Sequence, residues 1–327
     1  MAARGGGEVD VGSYILRRLL QMAPLMLGIS IAVFALIQTA PGGPEAALLS
    51  SGRFVDPSVV EAYRVKLGVD QPVPVQYLRW AMTALTGDLG VSYATTRPVV
   101  HMIAERLPAT IELMGSAFLL AALLAALIGL ASALRPHSWI DLLGTGFSYV
   151  GIAMPVFWLG LLLQLVFAVE LGWAPVSGTH TVGISSLGDH MAHLVLPAIV
   201  LASRYVASWS RYFRASLISA LESDYVRTAR AQGLPEVRVL FVHAVRNALV
   251  PVVSVMALGL ADLVSGAVIT ETVFSWPGIG RLFVQAMFAR DYPVLMGVLL
   301  MGSLTVIVFN LAADVVYGLL DPRIRYE

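Results

Sequence analysis

The feature that most constrains this chain is a series of long apolar runs without charge. Leu113–Leu134 carries no charged residue over 22 positions, between Glu112 and Arg135. Leu142–Val169 carries none over 28, between Asp141 and Glu170. A bilayer core of ~30 Å needs ~20 apolar residues per helix, so both runs are long enough to span. Four more runs follow the same pattern: Leu19–Thr39, Met191–Ser210 interrupted by Arg204, Asn247–Thr270 carrying Asp262, and Val294–Ala313. Composition agrees, with 57% hydrophobic and 13% charged residues against ~25% charged in soluble domains. The expected fold is an all-α membrane protein with six transmembrane helices.

Arg17-Arg18 ahead of the first run also fits a signal peptide. Pro41, however, falls where cleavage would occur. The reading is therefore an uncleaved first helix over 14–39, after a disordered cytoplasmic tail over 1–13. Residues 40–104 read as a small polar insert outside the bilayer, punctuated by Pro41-Gly42-Gly43-Pro44, Gln71-Pro72-Val73-Pro74 and Gly87-Asp88-Leu89-Gly90. A short helix over Pro57–Leu67 is expected there, with Asp56 as N-cap and Gly68 as stop. Gly151 and Pro155 predict a kink or a tilt in the third span. Residues 105–320 form the transmembrane core, and 321–327 a cytoplasmic tail.

Positive charge fixes orientation. With the amino terminus inside, Arg135, Arg211, Arg214, Arg227, Arg230, Arg238, Arg246, Arg323 and Arg325 all fall inside. The loop over 170–190 has no Lys or Arg and falls outside. The result is a multi-pass protein of the cytoplasmic (inner) cell membrane with both termini in the cytoplasm.

Several chemistries are excluded. The single lysine, Lys66, sits in Arg64-Val65-Lys66-Leu67-Gly68. A P-loop needs Gly-Lys-Ser/Thr to hold nucleotide phosphates, so this chain does not hydrolyse nucleotide by that route. There is no cysteine, which removes disulfides and thiolate sites. The 21 basic and 21 acidic residues balance, so no global field draws nucleic acid. Asp189, His190 and His193 resemble a metal set at one helix start, but helix starts commonly carry such residues, and no metal site is assigned. No nucleophile elbow, His-Glu-x-x-His or dinucleotide glycine fingerprint occurs. The chain is read as no enzyme, with no catalytic residue and no cofactor of its own.

The informative polar segment is 211–246. Leu217, Leu221 and Tyr225 lie at helical spacing, and Asp224 or Ser223 suits a cap for a turn starting at Tyr225. Gly233 allows a left-handed stop, and Pro235 opens the next helix. A helix–Gly–helix elbow on the bilayer face can plug into a cleft on a soluble partner. The small residues Ala229, Ala231 and Gly233 permit close approach.

This segment resembles the EAA loop of ABC-importer permeases. Its wording, Asp224-Tyr-Val-Arg-Thr-Ala-Arg-Ala-Gln-Gly233 and His243-Ala-Val-Arg-Asn-Ala-Leu-Val-Pro251, is similar to the dipeptide/oligopeptide/nickel branch. The general signature is Glu-Ala-Ala, three residues, then Gly; here Arg227-Thr228-Ala229 precede Gly233, so only the last Ala and the Gly match. Likeness extends along the chain through Leu67-Gly-Val-Asp-Gln-Pro72, Gly87-Asp-Leu-Gly-Val-Ser92, Arg106-Leu-Pro-Ala-Thr-Ile-Glu-Leu113, Glu271-Thr-Val-Phe-Ser-Trp-Pro-Gly-Ile-Gly280, Arg290-Asp-Tyr-Pro293, Asn310-Leu-Ala-Ala-Asp314 and Asp321-Pro-Arg-Ile-Arg-Tyr326. At Gly43 the family usually has an acid.

The resemblance implies a type I importer-like permease subunit for short peptides, with nickel or glutathione as the alternative cargo. It implies a second homologous permease, two ABC ATPase subunits carrying ATP and Mg, and an extracytoplasmic substrate-binding protein. Leu221, Asp224, Tyr225, Arg227, Ala229, Arg230, Gly233 and Leu234 become the expected ATPase-coupling residues. Asp262, Glu271, Asn310 and Asp314 are carried as translocation-pathway candidates, each with a structural alternative of pairing or helix-end anchoring. Arg204, one to two turns inside the fourth span, is expected to snorkel toward the cytoplasmic interface. Phe274, Trp276, Pro277 and Gly278 suit an outer gate or a re-entrant element, or else an aromatic belt with a turn. A membrane-embedded hydrolase would need an intramembrane catalytic set, and an ion channel would conduct without ATPase partners.

Overall fold

The computed structural model describes residues 11–39, 58, 61, 65, 68, 70–184 and 186–320. The expected turn at 41–44, most of the Pro57–Leu67 helix with its Asp56 cap, and the tail 321–327 lie outside them. The described part is helical: α1 (Val11–Thr39), α2 (Val73–Leu85), α3 (Val99–Leu134), α4 (Trp139–Ala153), α5 (Val156–Leu163), α6 (Leu187–Glu222), α7 (Asp224–Ala231), α8 (Glu236–Arg238), α9 (Arg246–Val273), α10 (Ile279–Ala289) and α11 (Tyr292–Leu320). A π-helical turn, Gln164–Glu170, extends α5, and another, Val239–Val245, joins α8 to α9. Among the described residues, five helices are long and apolar enough to cross a membrane. The α4–α5 pair makes a sixth crossing if its two halves count as one span.

Three boundaries differ from the sequence reading, and one expected kink takes a definite form. α1 begins at Val11, inside the expected tail over 1–13. α3 begins at Val99, within the segment read as the insert; its extra turns, ahead of the apolar run, carry Glu105 and Arg106. The expected kink in span three is a break of 108° between Ala153 and Val156, because Pro155 supplies no N–H and holds extended backbone at the corner. The segment 211–246 does not begin as a loop, since α6 runs on to Glu222. At 36 residues, α6 is ~54 Å long and overruns the ~30 Å bilayer core.

α6 is the centre of the bundle. Its buried face includes Leu201, Val206, Trp209 and Leu217. α3 lies along it through Ala117, Ala121, Ala125 and Gly129, four residues apart and all buried. Small residues at that spacing let two backbones approach, which is how helices gain contact in lipid. A Cβ on Gly129 would stand 2.9 Å from the Phe213 ring and from the Ser210 carbonyl of α6. α1 is peripheral, touching α11 and α2. It is fastened to α2 by the Ser30–Tyr77 hydroxyl pair at 2.9 Å and by Phe34 edge-on to Tyr77.

Candidate functional site

The elbow is built by one corner and one left-handed glycine. α6 ends at Ser223, whose extended backbone (φ −73°, ψ 154°) turns the chain into α7. Ser223 stands in the N-cap position but does not cap, because its hydroxyl donates back to the Ala220 carbonyl. α7 ends in a Schellman motif: Gly233 N–H bonds the Arg230 carbonyl at 2.9 Å and Leu234 N–H the Ala229 carbonyl at 3.4 Å. Gly233 takes φ +78°, with open space where a Cβ would be. Backbone conformation alone, not crowding, therefore selects glycine there.

α7 is held by a narrow apolar face. Val226 and Ala229 are buried against Phe213, Leu217 and Val239, while Asp224, Tyr225, Arg227 and Arg230 face outward. Leu221 and Leu234 pack half-buried on the same cluster. The elbow is closed by Arg230, which donates to Glu236 from Nη2 at 2.6 Å and from Nε at 3.2 Å. The guanidinium beside it holds the Glu236 carboxyl below its usual range. The arrangement is a rigid exposed hook, with Asp224 in its first turn and Arg230 in its last, matching the helix dipole. The eight expected coupling residues thus divide into an outward set and an anchoring set.

Of the four pathway candidates, Glu271 and Asn310 line one apolar cleft, and Asp262 lies away from it. Glu271 is fully buried. Its carboxylate accepts from Thr110 Oγ1 at 2.7 Å and from the Arg281 N–H at 3.0 Å, and also caps Gly280. It therefore fixes the start of α10, and it also stands in the wall of an apolar cleft. Phe274 and Trp276 are buried too, which removes the aromatic-belt alternative for them. Trp276 Nε1 donates to the Ala109 carbonyl at 2.8 Å, so the indole is a plug between α9 and α3. Asn310 is exposed and lines an apolar cleft of about 740 Å³ with Leu25, Met114, Phe118, Leu260 and Val264. Asp314 is half-buried one turn further along α11. Asp262 is exposed on a different face of α9, two positions from Leu260 and from Val264. An ionised carboxylate facing hydrocarbon there costs about 2.5–3.5 kcal/mol on insertion scales. Arg204 is likewise exposed.

The comparisons settle the family. Residues 125–326 match the family described as binding-protein-dependent transport system inner membrane component, and residues 12–114 match that system's membrane component N-terminal family. The chain belongs to this family. An oligopeptide transport system permease protein of Bacillus subtilis is 41% identical, covering 97% of this chain and 100% of the relative. A di/tripeptide transport system permease protein of Pseudomonas aeruginosa is 41% identical over 96% and 99%. A glutathione transport system permease protein of Salmonella paratyphi A is 39% identical over 96% and 99%. A solved amino acid ABC transporter with histidines matches 66% of this chain and 92% of its own, with a TM-score of 0.49 and 14% identity.

In this permease, several polar anchors escaped sequence reading. Asp141 takes both Nε and Nη2 of Arg214, at 2.6 and 2.7 Å, tying α4 to α6 near the elbow. Asp291 is buried and accepts from the Ser92 hydroxyl and the Tyr93 N–H, closing the Gly87–Pro98 loop onto the start of α11. His190 contacts Glu112 at 2.6 Å and the Thr179 carbonyl at 3.1 Å, and its ring lies 5.6 Å from Trp276. Both ring nitrogens of His190 are engaged, and among the described residues no three His, Cys, Asp or Glu cluster as metal ligands. In sequence, Asp141 and Glu112 stand out as charges bounding apolar runs, and Ser92 and Asp291 fall within segments that carry the family likeness.

Proposed function

We propose that this chain is one permease subunit of an ATP-driven importer for short peptides. It pairs with a second homologous permease, and the two enclose the pathway. Two cytoplasmic ATPase subunits, which bind ATP and Mg, seat on the elbows. An extracytoplasmic binding protein delivers substrate from the side of the Gly87–Pro98 loop. The chain lies in the inner cell membrane with both termini cytoplasmic, and it performs no catalysis itself.

The observation that carries this reading is the α7 hook. It is pinned by Val226 and Ala229, clipped by Arg230 and Glu236, and presents Asp224, Tyr225 and Arg227 outward. When an ATPase dimer closes, a rigid hook transmits a shift instead of absorbing it. α7 turns directly into α6, and α6 packs on α3, α4 and α9. A displacement at Ser223 is therefore delivered to most of the bundle as a rigid-body motion between two packed arrangements. Asp141–Arg214 carries α4 along with it.

Peptide as cargo is supported by the oligopeptide and di/tripeptide relatives. Glutathione, itself a tripeptide, is the second reading, supported by the 39% identical relative. The test is reconstitution of the complete complex with its binding protein in proteoliposomes. ATP-dependent uptake of labelled trialanine, competed by glutathione only in the second case, supports the reading. ATP hydrolysis that no peptide stimulates would end it.

A further inference from the structure

α6 and α9 run antiparallel in a fixed register. A Cβ on Gly259 of α9 would stand 2.9 Å from the Trp209 ring of α6. About one turn further along both helices come Tyr205 and Asp262. The Tyr205 phenol is buried, and it lies within electrostatic reach of both Asp262 and Arg204. Those two charged side chains are themselves exposed. Among the described residues, neither makes a hydrogen bond or an ion pair with the chain.

Asp262 also belongs to a stripe. Leu258 and Ile269, four residues before and seven after, are exposed on the same side of α9. The cleft-lining residues Leu260 and Val264 lie on the opposite side. The face of α6 and α9 is therefore separate from the apolar cleft, and it holds one negative and one positive group deep within the spans. Such groups face a water-filled cavity or a binding partner, not lipid tails. Two opposite charges that leave one another unpaired form a fixed dipole available to a third body. A zwitterion with an amine at one end and a carboxylate at the other has the matching charges.

We propose that this α6–α9 face is a wall of the translocation pathway, where Asp262 meets the amino group and Arg204 the carboxylate of a short zwitterionic peptide. The proposal rests on the peptide-importer reading. It adds the substrate-facing residues and the reason for their charges. Both are positioned for substrate contact by the Trp209–Gly259 packing beneath them.

The experiment uses the full complex in proteoliposomes, with cysteine-free partner subunits; this chain has no cysteine of its own. Leu258→Cys leaves both charges in place. A membrane-impermeant charged methanethiosulfonate is expected to label it, and trialanine with loaded binding protein is expected to slow labelling about tenfold. Leu263→Cys, at a fully buried position of the same helix, is the unlabelled control. In parallel, Asp262→Asn and Arg204→Gln are each expected to raise the KM for trialanine uptake about tenfold while kcat stays within about twofold. Absence of labelling at Leu258→Cys in every nucleotide state would mean that the second permease or lipid covers the face, and would overturn the proposal. Labelling without any KM change would overturn the roles of the two charges. If wild-type complex takes up no trialanine, the peptide reading fails by itself, and labelling still decides whether the face is aqueous.

Discussion

The Glu271 carboxylate lies under Gly278 so closely that a Cβ built on that glycine would fall among the carboxyl atoms. Two positions on, a Cβ at Gly280 would collide with the Val268 backbone. The acid, the turn and the first turn of α10 form one packed unit that joins α9 to α3 through Thr110.

Substitutions there act on stability before transport. Glu271→Gln keeps an oxygen for the Arg281 N–H only by turning its NH₂ toward Thr110 Oγ1, whose buried hydroxyl then loses its acceptor; the cost is about 1–3 kcal/mol. Gly280→Ala costs more than Gly115→Ala, because nothing lies within 4 Å of a Cβ at Gly115. Unfolding midpoints of the purified permease measure both effects. Equal midpoints for the two alanine variants would refute the packing argument.

Gly233 has a different basis. Its surroundings are empty, so Gly233→Ala carries only the left-handed backbone cost, roughly 1 kcal/mol. Gly233→Val forces the Schellman turn to open and re-aims the hook. That variant is expected to insert and assemble, yet to hydrolyse ATP without peptide uptake. Gly233→Asn, which tolerates this conformation, retains more coupling. Normal coupled uptake by Gly233→Val would contradict the role assigned to the elbow.

The Arg230–Glu236 clip is exposed at 44% and 64% of its side chains. Salt and water screen it, and its contribution to stability is small. The folded Glu236 carboxyl is held below its usual range. Its contribution is therefore present above the unfolded carboxylate range, near ~4.3, and lost as pH falls through the folded value. Glu236→Gln is expected to leave the unfolding midpoint unchanged at pH 7, and to weaken coupling in low salt more than in high salt. A ratio of uptake to ATP hydrolysis that ignores both the substitution and the salt would count against the clip.

Asp141 and Arg214 form a tighter pair, with the Asp141 side chain 7% and the Arg214 side chain 28% exposed. Asp141→Asn leaves the guanidinium without its counter-charge, and removing one partner of a buried pair costs ~3–5 kcal/mol. The partial exposure of Arg214 places this case near the low end. Chemical denaturation should show the loss, and Arg214→Lys should recover only part of it, because lysine lacks the two-pronged fit.

The spans were legible because lipid leaves no alternative: each apolar run has to become a helix. Gly233 was legible because a positive φ at a helix end selects glycine. Contacts distant in sequence were not. Thr110 and Glu271 are 161 positions apart, and Ser92 and Asp291 are 199 apart. Nothing local marks such pairs, since a buried carboxylate and a pathway carboxylate look the same in sequence. Glu271 shows this directly: it caps the start of α10 and stands in the wall of the apolar cleft, and neither contact is visible in sequence. Phe274 and Trp276 leave two alternatives open for a similar reason, because an aromatic turn suits a membrane interface and a buried plug equally. At Pro155 the break was visible and its 108° angle was not, since packing against α6 and α9 sets the direction of α5.

The central claim is that ATPase motion enters through α7. Because the chain has no cysteine, Arg227→Cys, at a side chain 71% exposed on the hook, gives a unique thiol. The direct measurement is site-specific cross-linking of that thiol in the assembled membrane complex, with and without ATP. The account predicts a cross-link to an ATPase subunit whose yield changes when nucleotide binds. A complex that hydrolyses ATP and takes up substrate, yet gives no ATPase cross-link from Arg227→Cys or Asp224→Cys in any state, would contradict it.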